Sequence, residues 1–96
     1  MKAVHTIPEA EAEYEDALAV SRDPAAFRRD VNDAFEAICK GYVVHRKVGR
    51  GVFRECFLSR LPYSIVYEDE ADSITIVAFA HKRRRRGDWK SRLKKQ

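Results

Sequence analysis

The stretch Ser73-Ile74-Thr75-Ile76-Val77-Ala78-Phe79-Ala80 is nearly continuous in apolar residues and rich in β-branched ones. Such a run predicts an inner strand covered on both faces. Ahead of it, Leu61-Pro62-Tyr63-Ser64-Ile65-Val66-Tyr67 reads as a second strand, with Pro62 tolerable only at its start. The acidic residues 68–73 between them make a turn. The last strand runs straight into His81-Lys82-Arg83-Arg84-Arg85-Arg86-Gly87-Asp88-Trp89. A hydrophobic hairpin therefore delivers five adjacent cations, a histidine and a tryptophan to one edge of a small domain. That arrangement suits an anionic macromolecule better than a small neutral substrate.

The rest of the chain supplies what this hairpin packs against. Residues 2–7 carry Val4, Thr6 and Ile7 and predict a first strand, ended by Pro8. Pro8 suits the first turn of a helix, and Glu9, Glu11 and Glu13 complement its positive end. Ala10, Tyr14, Ala17 and Leu18 share one helical face. Asp23 and Pro24 then read as the N-cap and first position of a second helix. Its apolar period is the clearest in the chain: Phe27, Val31, Ala34, Phe35 and Ile38, with Gly41 as its stop. Gly49 and Gly51 argue for a loop over residues 43–51, and residues 52–58 read as another strand. Residues 89–95 suit a short terminal helix or tail. The order β-α-α-β-β-β implies an α+β domain, an antiparallel helical hairpin packed on a small antiparallel sheet. The first strand joins that sheet by crossing back over the helices.

Ninety-six residues make one domain, with room for a single core but not for a deep closed cavity. No apolar run approaches the roughly 20 residues of a membrane span, and the N-terminus lacks a signal-peptide core. Cys39 and Cys56 lie apart without a C-x-x-C pattern, which predicts reduced thiols in a cytoplasmic protein, with neither a disulfide nor a zinc site, and no cofactor is expected. The net charge of +4 hides a polarity. Residues 1–40 hold five Lys/Arg against nine Asp/Glu, whereas the residues from Lys82 onward hold nine against one. Attraction for phosphate or for an acidic protein is thus concentrated at one end.

Taken in order, three motifs resemble the RelE/ParE superfamily of toxins from bacterial type II toxin–antitoxin modules, and within it the ParE-like group. The Glu-rich Pro8-Glu9-Ala10-Glu11-Ala12-Glu13-Tyr14 looks like the family's first helix. The segment 61–67 is similar to its F-P-Y-R-I-V-Y strand, and the segment 81–89 to its H-x-R-R-x-P-x-Y-W end. The resemblance spans nearly the whole chain as a single RelE/ParE-like toxin domain. It implies a toxin that arrests growth by binding an essential target, DNA gyrase being the ParE-type expectation. It also implies a cognate antitoxin that neutralises and assembles with it. Ser64, Arg86 and Asp88 depart from the pattern, standing where Arg, Pro and Tyr are common. In the ribosome-dependent ribonuclease branch an Arg at the Ser64 position helps hold the RNA phosphate, so its absence weighs against that branch.

Three functions are therefore in competition. For a gyrase-binding toxin, Arg83, Arg84, Arg86 and Trp89 are the expected target contacts. For an mRNA endoribonuclease of the RelE type, acting on transcripts in the ribosome, His81 would deprotonate a ribose hydroxyl while Arg83 or Arg54 held the phosphate. For a non-toxic nucleic-acid-binding module, the basic tail alone would give salt-dependent affinity. Tyr63, Ile65 and Tyr67 alternate onto one face, which is either core against the helices or a groove for an antitoxin segment. Trp89 has the parallel alternative of packing back on the sheet, and His81 that of closing the last strand by hydrogen bonding. His5 and His45 fall in no motif, and Arg46, Lys47 and Arg50 place charge on the glycine loop.

Overall fold

A computed structural model describes residues 3–41, 45–48 and 53–82. Arg83, Arg84, Arg86, Trp89 and the expected terminal helix lie outside these residues. The elements are β1 (Ala3–Thr6), α1 (Pro8–Ala19), α2 (Pro24–Lys40), β2 (Arg46–Lys47), β3 (Phe53–Phe57), β4 (Tyr63–Asp69) and β5 (Ser73–His81). They form an α+β domain, as the sequence implies.

The helices start and stop where the local chemistry dictates. Pro8 occupies the first turn of α1, where its missing N–H costs nothing. The Asp23 side chain accepts a hydrogen bond from the Ala26 N–H at 3.1 Å and caps α2. Gly41 ends α2 in the left-handed region at φ 68°, a conformation that a side chain would strain, and its N–H reaches the Ala37 carbonyl at 3.0 Å. The buried stripe of α2 is Phe27, Val31 and Ile38, with Ala34 and Phe35 packed beside it.

The sheet has five strands in the order β1-β5-β4-β3-β2. From β2 to β5 all pairs are antiparallel. β1 is added parallel to β5, so the sheet is mixed rather than wholly antiparallel. The helical pair supplies the crossover that parallel pairing requires. A second departure is β2, a two-residue strand within the expected glycine loop, paired through Arg46 with Glu55 and through Lys47 with Arg54.

Both faces of the sheet are buried. Cys56, Ile65, Tyr67, Ile74, Ile76 and Phe79 face the helices, and Val48, Phe53, Val66, Ala78 and Ala80 pack on the other side. The unbroken apolar run of β5 follows from this, helped by a bulge. Tyr67 pairs with Ile76 but Val66 pairs with Ala78, so Val77 is the extra residue and joins the second face.

Two carboxylates lock helices to strands. Asp30, 6% exposed, accepts from the Ser59 hydroxyl at 3.1 Å and from the Arg60 N–H at 3.2 Å, which ties the β3–β4 loop to α2. Glu13 accepts from the Phe79 N–H at 3.0 Å, serving β5 beyond the point where β1 ends. Both sit in the apolar stripe of their helix, Glu13 three residues after Ala10 and Asp30 three after Phe27. Asp30→Ala should cost about 3 kcal/mol, since two hydrogen bonds to a buried charge are lost. Ser59→Ala should cost about 1 kcal/mol, because only a neutral donor goes. Urea unfolding of the two variants checks this ordering.

Candidate functional site

The end of the sheet that leads into the basic tail carries an aromatic cluster. Phe27 from α2 meets Tyr63 and Phe79 edge-on, each at 5.9 Å, and Tyr14 of α1 at 5.6 Å. Tyr63 stacks on Phe79 at 5.0 Å with an 18° tilt, and the His81 ring stands edge-on against Tyr63 at 5.0 Å. The strand register, Tyr63 opposite His81, sets this last contact. His81 thus closes β5 on the helix-facing side, half-buried over an aromatic ring.

Two adjoining grooves open beside the cluster. One, of about 290 Å³, lies at the α1–α2 turn among Ala17, Val20, Ala26, Phe27, Leu61 and Tyr63. The other, of about 210 Å³, runs along α1 toward Glu13, Asp16 and His81. Ala17, Val20 and Tyr63 line both. Val20 stands at the rim with 77% of its surface exposed, an apolar side chain that the fold leaves uncovered.

The residues expected along β4 divide accordingly. Ile65 and Tyr67 are 0% and 2% exposed and belong to the core beneath the helices. Tyr63 is half-buried and alone of the three reaches the grooves. Ser64 points to the opposite face, where it is buried and its hydroxyl donates to Glu55 Oε2 at 2.9 Å.

His81 and Arg54 are not brought together. His81 pairs with Tyr63, whereas Arg54 pairs with Tyr67 one strand further over. The four residue steps from Tyr63 to Tyr67 along β4 span roughly 13 Å. Arg54 is engaged elsewhere: its Nη1 donates to the His45 carbonyl at 2.6 Å, and its Nε lies 3.8 Å from Asp69.

His45, which falls in no sequence motif, belongs to that second group. Its Nδ1 lies 2.7 Å from the Tyr67 hydroxyl. Burial, and then the Arg54 charge, hold the His45 pKa below the usual imidazole value, so the neutral ring is favoured. Burial, with Asp69 and Cys56 adding to it, pushes the Tyr67 phenol up to about 12, so it stays protonated. The neutral ring and the protonated phenol share one hydrogen bond, with the imidazole tautomer setting which of them donates. Burial and the Asp30 charge raise the Cys56 thiol to about 11, which removes it as a nucleophile. Among the described residues no group of three His, Cys, Asp or Glu side chains could hold a metal ion, and no helix is long and apolar enough to cross a membrane.

Comparison with known proteins places these features in a family. No curated protein matches the chain. A solved chain from the chromosomal ParDE TA system of P. aeruginosa has the same fold, with a TM-score of 0.61 at 16% identity, over 84% of this chain and 96% of that one. The family model for the ParE toxin of the type II toxin–antitoxin system, parDE, matches residues 6–86. The chain belongs to the ParE toxin family of type II toxin–antitoxin systems.

Proposed function

We propose that this toxin arrests growth by binding DNA gyrase in the cytoplasm through its basic end, Arg83, Arg84, Arg86 and Trp89, and that a cognate antitoxin neutralises it. The observation that favours this over a ribonuclease built on His81 and Arg54 is the separation of those two residues. A ribonuclease needs a base and a phosphate-holding cation within reach of one ribose–phosphate unit. Here the two described candidates pair with Tyr63 and Tyr67 of β4, four positions apart, and Arg54 is held by His45 and Asp69. Ser64, where the ribonuclease branch carries an Arg, is buried against Glu55. Binding a large protein target needs no such convergence; it needs a cationic, aromatic surface, which the sequence provides from Lys82 onward.

For the antitoxin, the supporting features are the grooves over Tyr63 and the exposed Val20. An amphipathic segment folding onto the toxin would cover them. Of the three β4 residues expected to meet the antitoxin, Tyr63 lines the grooves and is the one proposed to make contact, whereas Ile65 and Tyr67 are core.

Expression from an inducible promoter, with growth, plasmid supercoiling and transcript integrity followed together, tests the reading. Arrest with altered supercoiling and intact transcripts is expected. His81→Ala should arrest growth as fully as the parent chain, because its ring packs on Tyr63 rather than serving chemistry. Loss of toxicity in a folded His81→Ala variant, together with transcripts cut at ribosomes, would move the assignment to the ribonuclease.

A further inference from the structure

The contacts around His45 form a closed set at the sheet edge that the toxin reading leaves unused. Arg54 and Tyr67 are cross-strand partners, and Lys47 is the partner of Arg54 on the outer side. His45 lies two residues before Lys47, on the same side of the chain. β2 itself is only two residues long and carries two cations, Arg46 and Lys47, both exposed. A strand so short contributes little ladder energy of its own. Its attachment rests on the burial of Val48 against Phe53 and Val66, the Val48 N–H to the Phe53 carbonyl at 3.1 Å, the pairing of Arg46 and Lys47, and the His45 contacts at its entry.

We propose that His45, Arg54 and Tyr67 form a proton-sensitive clasp, which holds the basic β2 segment on the sheet edge and releases it on acidification. The charged and titratable groups facing His45 are Arg54 from β3 and Tyr67 and Asp69 from β4, with Lys47 on its own segment. Asp69 leans on the Arg54 guanidinium, and among the described residues no carboxylate bonds the imidazole. A proton on His45 therefore adds charge beside Arg54, in a half-buried place, with no counter-charge bonded to it. A protonated ring donates to the Tyr67 oxygen, so the hydrogen bond survives; what protonation adds is an unfavourable charge beside Arg54.

The attached His45 takes up its proton at a lower pH than a released one. The clasp is at full strength above the ordinary histidine value of about 6.5 and weakens as pH falls through it. Weakening stops once the attached ring is itself protonated. Over that window the released state gains, freeing Arg46 and Lys47 from the sheet and opening the outer edge of β3.

Amide hydrogen exchange by NMR on the whole chain tests this, read at Val48 against Ile65 in the core and corrected for intrinsic exchange. Between about pH 7.5 and pH 5, the protection of Val48 relative to Ile65 should fall severalfold in the parent chain. The fall should be absent in His45→Gln, whose amide does not titrate. An unchanged ratio in the parent chain, or the same fall in His45→Gln, overturns the proposal. The His45 ring resonances of the parent chain give a second reading that needs no variant. A midpoint below that of a free histidine is expected, and one at or above it overturns the clasp.

Discussion

Phe27→Ala lowers the free energy of unfolding by about 3–5 kcal/mol, the range for removing a fully buried phenylalanine. Phe27 is 2% exposed and touches three aromatic rings from α1, β4 and β5. It is the aromatic anchor of the second helix on the sheet, beside Val31 and Ile38. Its removal leaves Tyr14, Tyr63 and Phe79 around a void that the rigid strands cannot close. A domain of this size has only about 5–10 kcal/mol of stability, so the variant should be close to unfolding. Urea denaturation followed by circular dichroism measures it. A loss below about 1 kcal/mol would mean that the cluster repacks and that α2 is held chiefly by Asp30.

The second large effect is functional. Alanine at Arg83, Arg84, Arg86 and Trp89 together should abolish growth arrest while leaving the unfolding midpoint within error of the parent. Trp and Arg anchors each contribute about 2 kcal/mol or more at an interface, so the four together should weaken target binding by at least a thousandfold or so. Growth of the induced strain, beside a denaturation curve of the purified variant, separates lost binding from lost folding. Full toxicity in the quadruple variant would remove the basic end as the target contact.

Much of the fold was legible because local signals are strong where the chain changes direction. Asp23 with Pro24, and Gly41, mark the two ends of α2 through capping chemistry that operates within four residues. The apolar period of α2 and the apolar run of β5 report burial on one side and on two. β2 escaped because two exposed cations beside glycines carry no strand pattern; pairing with Glu55 and Arg54 makes the strand. Glu13 and Asp30 were visible in principle, as single carboxylates within apolar helical stripes. Their partners, the Phe79 and Arg60 amides, are backbone groups, which sequence does not distinguish.

The candidate site was less legible because register decides it. Tyr63, Ile65 and Tyr67 share a face by alternation, but how far the helices extend over that face determines that only Tyr63 reaches the grooves. His81 and Arg54 looked equally available in the sequence. Their pairing with Tyr63 and Tyr67 sets them apart. The same register brings His45 onto Tyr67, which lies 22 residues away along the chain.

As proposed, this ParE-family toxin acts on gyrase by binding it. The most direct measurement is supercoiling of relaxed plasmid by purified gyrase, with the purified chain titrated in. Dose-dependent loss of supercoiling, or accumulation of cleaved DNA, is the predicted result, and the antitoxin should reverse it. Undiminished supercoiling at saturating toxin, with mRNA cut on translating ribosomes by the same preparation, would contradict it.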